Sequence, residues 1–170
     1  DYKITLVSGL HELIVNRTGA AALQANLELL GEIDYTENEL TFGKGIQAAT
    51  DKPLTGMDSK IRPLERTREY PNGGASDVGD VSWQVPQISL AVTTAPEGTP
   101  WHSWAVVACG GMSIGHKGLV YAAKAMGMTV VDLFENPELV KEIKAEFKER
   151  RGDAKYEAIL PEGEAPIPNK

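Results

Sequence analysis

His102 is the residue of this sequence whose type and position best suit metal chemistry. It lies in the stretch GTPWHSW (98–104), after the apolar segment QISLAVTT (87–94) and a turn rich in proline and glycine. A neutral imidazole nitrogen is a common metal ligand, and ligand groups in α/β proteins often follow the carboxyl end of a strand. The alternative is an exposed loop histidine whose two tryptophan neighbours cover the core. A lone histidine without an HxxxH or HExxH partner favours that alternative.

Asp77 and Asp80 are the next candidates, because they lie three residues apart in the stretch SDVGD. The surrounding residues predict a short helix over 76–85, on which the two carboxylates share a face. There they can bind a cation, orient an imidazole or hold a substrate amine. The alternative is that they stabilise the helix start, with Ser76 or Asp77 as the cap, and this fits Asp77 better than Asp80.

Three further positions carry chemically useful groups with plainer alternatives. Asn16 can present its amide to a substrate, although a turn or cap role is the simpler interpretation. His116 and Lys117, in the stretch SIGHKG, can meet an anion or form a solvated first helical turn. Cys109 would need a base and a lowered pKa to act as a nucleophile, so we expect a buried, inert thiol.

The elements that must position these residues are several helices and a few strands. Alternating and β-branched residues predict strands at 2–7 and 87–94, and MTVVDLF (128–134) is predicted to be a short strand or an extended link. The helical signals are apolar spacing, the capping box TENE, a glycine stop and a proline start. They predict helices over 18–30, from Thr36 to about Thr50, from just after Gly111 to Gly127 and from Pro137 to about Arg151. This mixture predicts the α/β class.

Composition excludes several classes of function. The chain of 170 residues can form one buried core, and its net charge of −7 without a basic stripe gives no support for a nucleic acid or an anionic membrane as partner. No apolar run approaches the roughly 20 residues of a spanning helix, and the first residues do not have the layout of a signal peptide. The single cysteine rules out an internal disulfide and fits a reducing compartment, so we expect a cytoplasmic protein.

Three motifs together resemble the C-terminal part of a known enzyme family. They are GGASDVGDVSWQVP (73–86), GTPWHSW (98–104) and GMSIGHKGLVYAAK (111–124). The family is that of the metal-dependent peptidases and amidohydrolases that include carboxypeptidase G and aminoacylase. HELIVNRT and TENEL also resemble the aminobenzoyl-glutamate hydrolase branch of this family, so the resemblance extends from Asp1 to about Arg151.

The resemblance implies a fold and a division of the chain. The expected fold is a three-layer α/β/α arrangement, part of the phosphorylase/hydrolase-like catalytic domain of a zinc peptidase. Residues 1–15 would be the last strand of a lid domain through which the enzyme forms a homodimer. Residues 16–170 would be the C-terminal portion of the catalytic domain.

The resemblance also implies a chemistry. Members of the family use two divalent metal ions, zinc or manganese, to cleave an amide next to a carboxylate, with a glutamate as general base for a metal-bound water. His102 matches the last metal ligand of the family. Asp77 and Asp80 match an acidic motif beside the site and are carried over as site-shaping residues, and Asn16 as a substrate contact. The other ligands and the general base have no counterpart here.

We therefore expect the C-terminal fragment of a two-metal amidohydrolase, inactive by itself and without a stably bound metal. Its partners would be the N-terminal part of the same enzyme and a substrate of the aminobenzoyl-glutamate or short-peptide type. The alternative is a non-catalytic binding or assembly module that pairs with the missing half. Tight stoichiometric zinc binding by the isolated chain would argue for a self-contained site instead.

Overall fold

The computed structural model of the chain describes residues 1–2, 4, 6–64, 76–160 and 163. Within those ranges the chain forms six α-helices and no β-strand. None of the helices found there is long and apolar enough to cross a membrane. The helices are α1 (Arg17–Leu30), α2 (Glu37–Ala49), α3 (Val78–Ser82), α4 (Trp104–Gly110), α5 (Ser113–Glu135) and α6 (Pro137–Arg151).

The expectation of an α/β fold with three layers is therefore wrong for the described part of the chain. Residues 87–94 and the described residues of 2–7 are neither helical nor paired in a ladder, while Lys3 and Thr5 lie outside the described residues. β-Branched side chains suit a pleated surface, but a strand also needs a neighbouring segment to exchange backbone hydrogen bonds.

A second correction concerns the length of α5. The sequence predicts that this helix ends at Gly127 and that residues 128–134 are extended, but α5 continues through both to Glu135. The amide of Asn26 on α1 donates to Thr129 Oγ1 at 3.1 Å and to Asp132 Oδ2 at 2.6 Å. These contacts hold the last turns of α5 against α1. The weak helix propensity of Gly127 therefore does not end the helix.

Three further helix signals in the sequence are confirmed. Thr36 forms the predicted capping box: Thr36 Oγ1 accepts from the Glu39 amide at 3.3 Å, and Glu39 Oε2 accepts from the Thr36 amide at 2.7 Å. Helix α1 ends before Gly31, whose φ of 75° is the left-handed conformation that terminates helices. Helix α6 begins at Pro137, directly after Asn136.

The chain divides into two compact units. Unit 1 comprises Asp1–Gly19, Glu65–Ile88 and Glu138–Lys170, and unit 2 comprises Ala20–Leu64 and Ser89–Pro137. The first residues of the GGASDV motif (73–75) and residues 161–162 and 164–170 of the C-terminal tail lie outside the described residues.

Unit 2 is organised around α2, α4 and α5. Its buried core consists of Ile46, Ala105, Cys109 and Ile114, against which partly buried apolar side chains pack: Tyr35, Phe42, Met57, Ala95 and Ala108. The N-terminal part of α5 therefore lies against α4, and α4 in turn fixes the segment that precedes it.

Unit 1 is organised by the docking of α3 on the segment 11–14. The Ile14 amide donates to Ser82 Oγ at 2.9 Å, and Trp83 Nε1 donates to the Glu12 carbonyl at 2.9 Å. A side chain on Gly79 would collide with the His11 carbonyl, so the close approach of these two backbones requires glycine at this position. The aspartates of the SDVGD motif are thereby placed beside residues from the N-terminal part of the chain.

Candidate functional site

His102 lies in a turn of unit 2 just before α4, and its side chain is exposed. The imidazole makes no hydrogen bond to any residue that the structure describes. The backbone has a φ of 58°, a left-handed conformation that is uncommon for residues other than glycine and tends to occur at functional sites. The turn therefore presents a free ring nitrogen to the outside of the unit.

The two neighbouring tryptophans do not cover the core. Trp101 is 70% exposed and Trp104 is 59% exposed. The alternative of an exposed loop histidine therefore holds for the exposure of His102, but its expectation that the two tryptophans cover the core is wrong. The sequence predicted a strand before His102, but the segment that precedes this residue is irregular. His102 is followed by helix α4, which the sequence did not predict.

Local hydrogen bonds close the turn on both sides of His102. Thr99 Oγ1 donates to the Pro96 carbonyl at 2.6 Å, and Ser103 Oγ donates to the Pro100 carbonyl at 2.5 Å. Beyond the turn, Ala105 and Cys109 of α4 are fully buried in the core of unit 2. A histidine whose flanking backbone is fixed in this way presents its ring from a defined position.

Asp77 and Asp80 belong to unit 1 and have different environments. Asp77 occupies the cap position of α3 and is exposed, but its carboxylate makes no capping bond, and the Val78 amide donates to Ser76 Oγ at 3.2 Å instead. Asp80 is half-buried, and its Oδ1 accepts from Tyr156 OH at 3.2 Å. Its Oδ2 is buried and has no hydrogen-bond partner among the described residues.

Tyr156, which contacts this carboxylate, belongs to an aromatic cluster. The His11 ring lies 5.1 Å from the Trp83 ring and 5.3 Å from the Tyr156 ring, between centroids. His11 Nε2 donates to the Glu157 carbonyl oxygen at 2.8 Å, because a carbonyl oxygen can only accept. Burial, and then the nearby Asp80 carboxylate, raise the pKa of Tyr156, which keeps the phenol protonated and able to donate.

The sequence did not bring His11 and Tyr156 into the site. His11 begins the HELIVNRT motif, but both residues are distant from Asp80 along the chain, so no local signal predicted their contact with it. The tight fit between Gly79 and the His11 backbone is the structural reason for it.

Asn16 is buried, and both ends of its amide are used within unit 1. Its Oδ1 accepts from the Gly19 amide at 2.8 Å, which caps α1, and its Nδ2 donates to the Ile143 carbonyl at 2.9 Å. This is the geometry of the cap alternative. A contact between Asn16 and a substrate stays a prediction.

The other candidates lie in unit 2. Lys117 Nζ contacts Glu39 Oε2 at 2.6 Å and the Asp34 carbonyl oxygen at 2.7 Å, so this lysine is engaged by the protein rather than solvated alone. Lys117 and the exposed His116 line an open cavity of about 480 Å³. Cys109 is buried, and burial raises the pKa of its thiol, as an inert cysteine requires.

The predicted site residues are thus divided between the two units, with Asn16, Asp77 and Asp80 in unit 1 and His102 in unit 2. In the part of the chain that the structure describes, no three side chains of histidine, cysteine, aspartate or glutamate come together as a metal site. His102 offers one ligand, whereas a catalytic zinc ion takes about three from protein.

Comparison with known proteins supports the resemblance seen in the motifs. No family model matches the chain, and no solved structure matches it significantly. A curated protein of Escherichia coli (strain K12), one of the subunits of p-aminobenzoyl-glutamate hydrolase, is 29% identical over a 180-residue alignment that covers 91% of this chain. The chain spans 37% of the length of that relative. The resemblance to aminobenzoyl-glutamate hydrolase that the SDVGD, PWHSW and SIGHKG motifs indicate is therefore confirmed.

Proposed function

We propose that this chain is part of a two-metal amidohydrolase that cleaves an amide next to a carboxylate, of the aminobenzoyl-glutamate or short-peptide type. The observation that carries the proposal is the outward-facing imidazole of His102, in a motif that resembles the family's last ligand motif. The similarity to a hydrolase over 91% of the chain also supports the proposal. Zinc or manganese as the metal, and a cytoplasmic location, belong to the same proposal.

In this proposal His102 supplies one metal ligand and takes no part in proton transfer. The metal ions, when bound, lower the pKa of a water molecule and polarise the scissile carbonyl. The exposed turn gives the imidazole a free nitrogen lone pair and a fixed direction. The remaining ligands and the glutamate base would come from further polypeptide, since one histidine cannot hold a catalytic metal.

Asp80 of unit 1 is a site-shaping residue in the same proposal. Its buried Oδ2 is an acceptor with no partner among the described residues, which is a costly arrangement unless something else donates to it. The Tyr156 hydroxyl holds the other oxygen and fixes the carboxylate.

The exposed face of α5 supports the need for further polypeptide. Large apolar side chains recur along this helix with helical spacing: Leu119 is 69% exposed, Met126 56%, Val130 48% and Phe134 85%. A contiguous apolar stripe of this kind marks an interaction surface. Because the chain spans 37% of its relative, we assign this stripe to the polypeptide that corresponds to the rest of that enzyme. Homodimerisation of the complete enzyme is part of the proposal.

The test compares two histidine variants of the complete hydrolase that contains this chain. We expect His102→Ala to lose one metal ion per protomer, measured by elemental analysis, and to lose more than about 100-fold in turnover of aminobenzoyl-glutamate, because changes outside the ligand shell already cost 10–100-fold. His116→Ala removes an exposed imidazole of the same unit and should keep both metals and normal turnover. Full activity and normal metal content in His102→Ala would overturn the proposal.

The alternative of a binding or assembly module is favoured by one observation, namely that the described residues bring no three metal ligands together. Calorimetric zinc titration of the chain alone addresses it, and we expect no tight stoichiometric binding. If the complete protein also fails to hydrolyse aminobenzoyl-glutamate and short peptides while the chain binds its remainder, the module is the correct function.

A further inference from the structure

Gln47 is a fully buried polar side chain in unit 2 that the sequence did not single out. It lies on α2 and has 0% of its surface exposed. A buried primary amide must find partners for its oxygen and for its NH₂ group, because an unmet hydrogen bond inside a protein is costly. The hydrogen-bond partners of Gln47 therefore indicate its structural role.

The amide of Gln47 joins two loop segments that come from different parts of the chain. Its Oε1 accepts from the Gly56 amide at 2.8 Å. Its Nε2 donates to Thr55 Oγ1 at 2.9 Å and to the Glu97 carbonyl at 2.9 Å. The Glu97 amide donates to the Gly56 carbonyl at 3.0 Å. The Gln47 side chain thus links residues 55–56 to residue 97 through its hydrogen bonds.

This clamp lies on the approach to the histidine turn. Glu97 is followed by Gly98, whose φ is 78°, and by Thr99, which bonds back to the Pro96 carbonyl. After the turn, the chain enters α4, whose buried residues belong to the core of unit 2. The segment that carries His102 is therefore fixed at its start by Gln47 and at its end by α4.

We propose that Gln47 is a positioning residue for His102: its amide sets the place of the 96–103 turn and thereby the direction of the imidazole. The link to metal binding rests on the proposed function, whereas the link to the turn does not. Glutamine is required because one group must donate to the Glu97 carbonyl and accept from the Gly56 amide. Glutamate would turn a carboxylate oxygen toward that carbonyl.

The first experiment measures the turn itself by amide hydrogen exchange and by NMR of the His102 ring in the chain. In Gln47→Leu we expect exchange at Gly56 and Glu97 to rise by more than about tenfold, because local opening is governed by local hydrogen bonding. The His102 ring resonances should shift as well. Gln24→Leu is the matched control, since Gln24 is a less buried glutamine on α1 of the same unit. Unchanged exchange and unchanged His102 resonances in Gln47→Leu would overturn the proposal.

A second variant keeps the test decisive if Gln47→Leu does not fold. Gln47→Glu should release the turn at pH 7. At acidic pH, amide exchange and the His102 resonances of this variant should match those of the wild type at the same pH. A neutral carboxylic acid can both donate and accept, as the amide does. Burial raises the pKa of a carboxyl group, so the recovery should begin above the usual titration range of glutamate. A turn that stays released when this carboxyl is protonated would count against the positioning role.

The complete hydrolase separates this inference from the proposed function. Gln47→Leu should reduce kcat and the occupancy of one metal site with little change in KM, whereas Gln24→Leu should change neither. If the His102 resonances respond to Gln47 but metal content is independent of His102, the positioning role stands and the proposed function fails. If His102→Ala loses metal while Gln47→Leu leaves the resonances and the metal unchanged, the positioning role fails.

Discussion

Lys117 Nζ lies 2.6 Å from Glu39 Oε2, and this ion pair joins the N-terminal part of α5 to the first turn of α2. Glu39 is only 6% exposed, and the same carboxylate completes the capping box with Thr36. The hydrogen bond from Lys117, followed by that from the Thr36 amide, lowers the pKa of Glu39 to about 2. One carboxylate therefore caps a helix and anchors a second helix at once.

Acid should weaken unit 2 through this group. A carboxyl group whose pKa is lower in the folded state contributes stability above its unfolded pKa, here 4.5, and loses it as the pH falls toward the folded value of about 2. We expect the urea midpoint of the wild type to decline more steeply between pH 4.5 and 2 than that of Glu39→Gln. Glu37→Gln, which changes an exposed residue of the same turn, should follow the wild type. Parallel curves for wild type and Glu39→Gln would contradict the pairing.

Two glycines of α5 should respond to alanine in opposite directions. A Cβ atom on Gly118 would lie 2.6 Å from Thr94 Cγ2 and 2.8 Å from the Thr93 carbonyl oxygen, whereas one on Gly127 would meet nothing within 4 Å. Gly127→Ala should stabilise the protein by about 0.5–1 kcal/mol through helix propensity. Gly118→Ala should destabilise it by about 1–3 kcal/mol through overpacking. Urea unfolding measures both, and effects of the same sign would mean that α5 is packed differently.

The thiol of Cys109 should be unreactive in the folded protein. It is buried in the core with Ile114 and Ala105, and burial raises its pKa, so little thiolate is present at neutral pH. We expect a thiol reagent such as DTNB to modify Cys109 rapidly in urea and very slowly in buffer at about pH 8. Fast modification of the native chain would show that α4 opens easily or that its packing is wrong.

Glu146 of α6 should stabilise the start of α1. Its carboxylate accepts from the Arg17 amide at 2.9 Å and from the Thr18 amide at 2.7 Å. Burial acts to raise the pKa of Glu146, but these hydrogen bonds outweigh it, and the pKa is lowered overall. Replacement of a helix cap typically costs about 0.5–2 kcal/mol, which we expect for Glu146→Ala in urea unfolding.

Glu149→Ala on the exposed side of α6 serves as the control for Glu146. A surface substitution of this kind should change the free energy of unfolding by less than about 0.5 kcal/mol. Equal effects of the two variants would mean that the carboxylate does not cap α1.

Local signals predicted the helices well where the chemistry is local. The capping box at Thr36 and the proline start at Pro137 each require only a few neighbouring residues, and both are confirmed. The strands failed because pairing depends on a second segment, which composition does not reveal. Helix α5 passes Gly127 because Asn26 bonds to its last turns, a contact between residues far apart along the chain.

The candidate site shows the same division. The motif around His102 predicted a candidate metal ligand, whereas the left-handed backbone and the exposure of this residue are known only from the structure. The Tyr156 contact with Asp80 and the Gln47 clamp join distant parts of the chain through single side chains. Such contacts have no periodicity or spacing in the sequence from which to predict them.

The exposed indoles of Trp101 and Trp104 flank His102, so their fluorescence reports on the environment of this segment. The third indole, Trp83, lies in the other unit beside the His11 ring. Water-soluble quenchers will therefore extinguish emission chiefly from the two rings that flank His102. A paramagnetic cation such as Mn²⁺ or Cu²⁺ on that imidazole would dim the same two rings, so occupancy can be followed by fluorescence without a label.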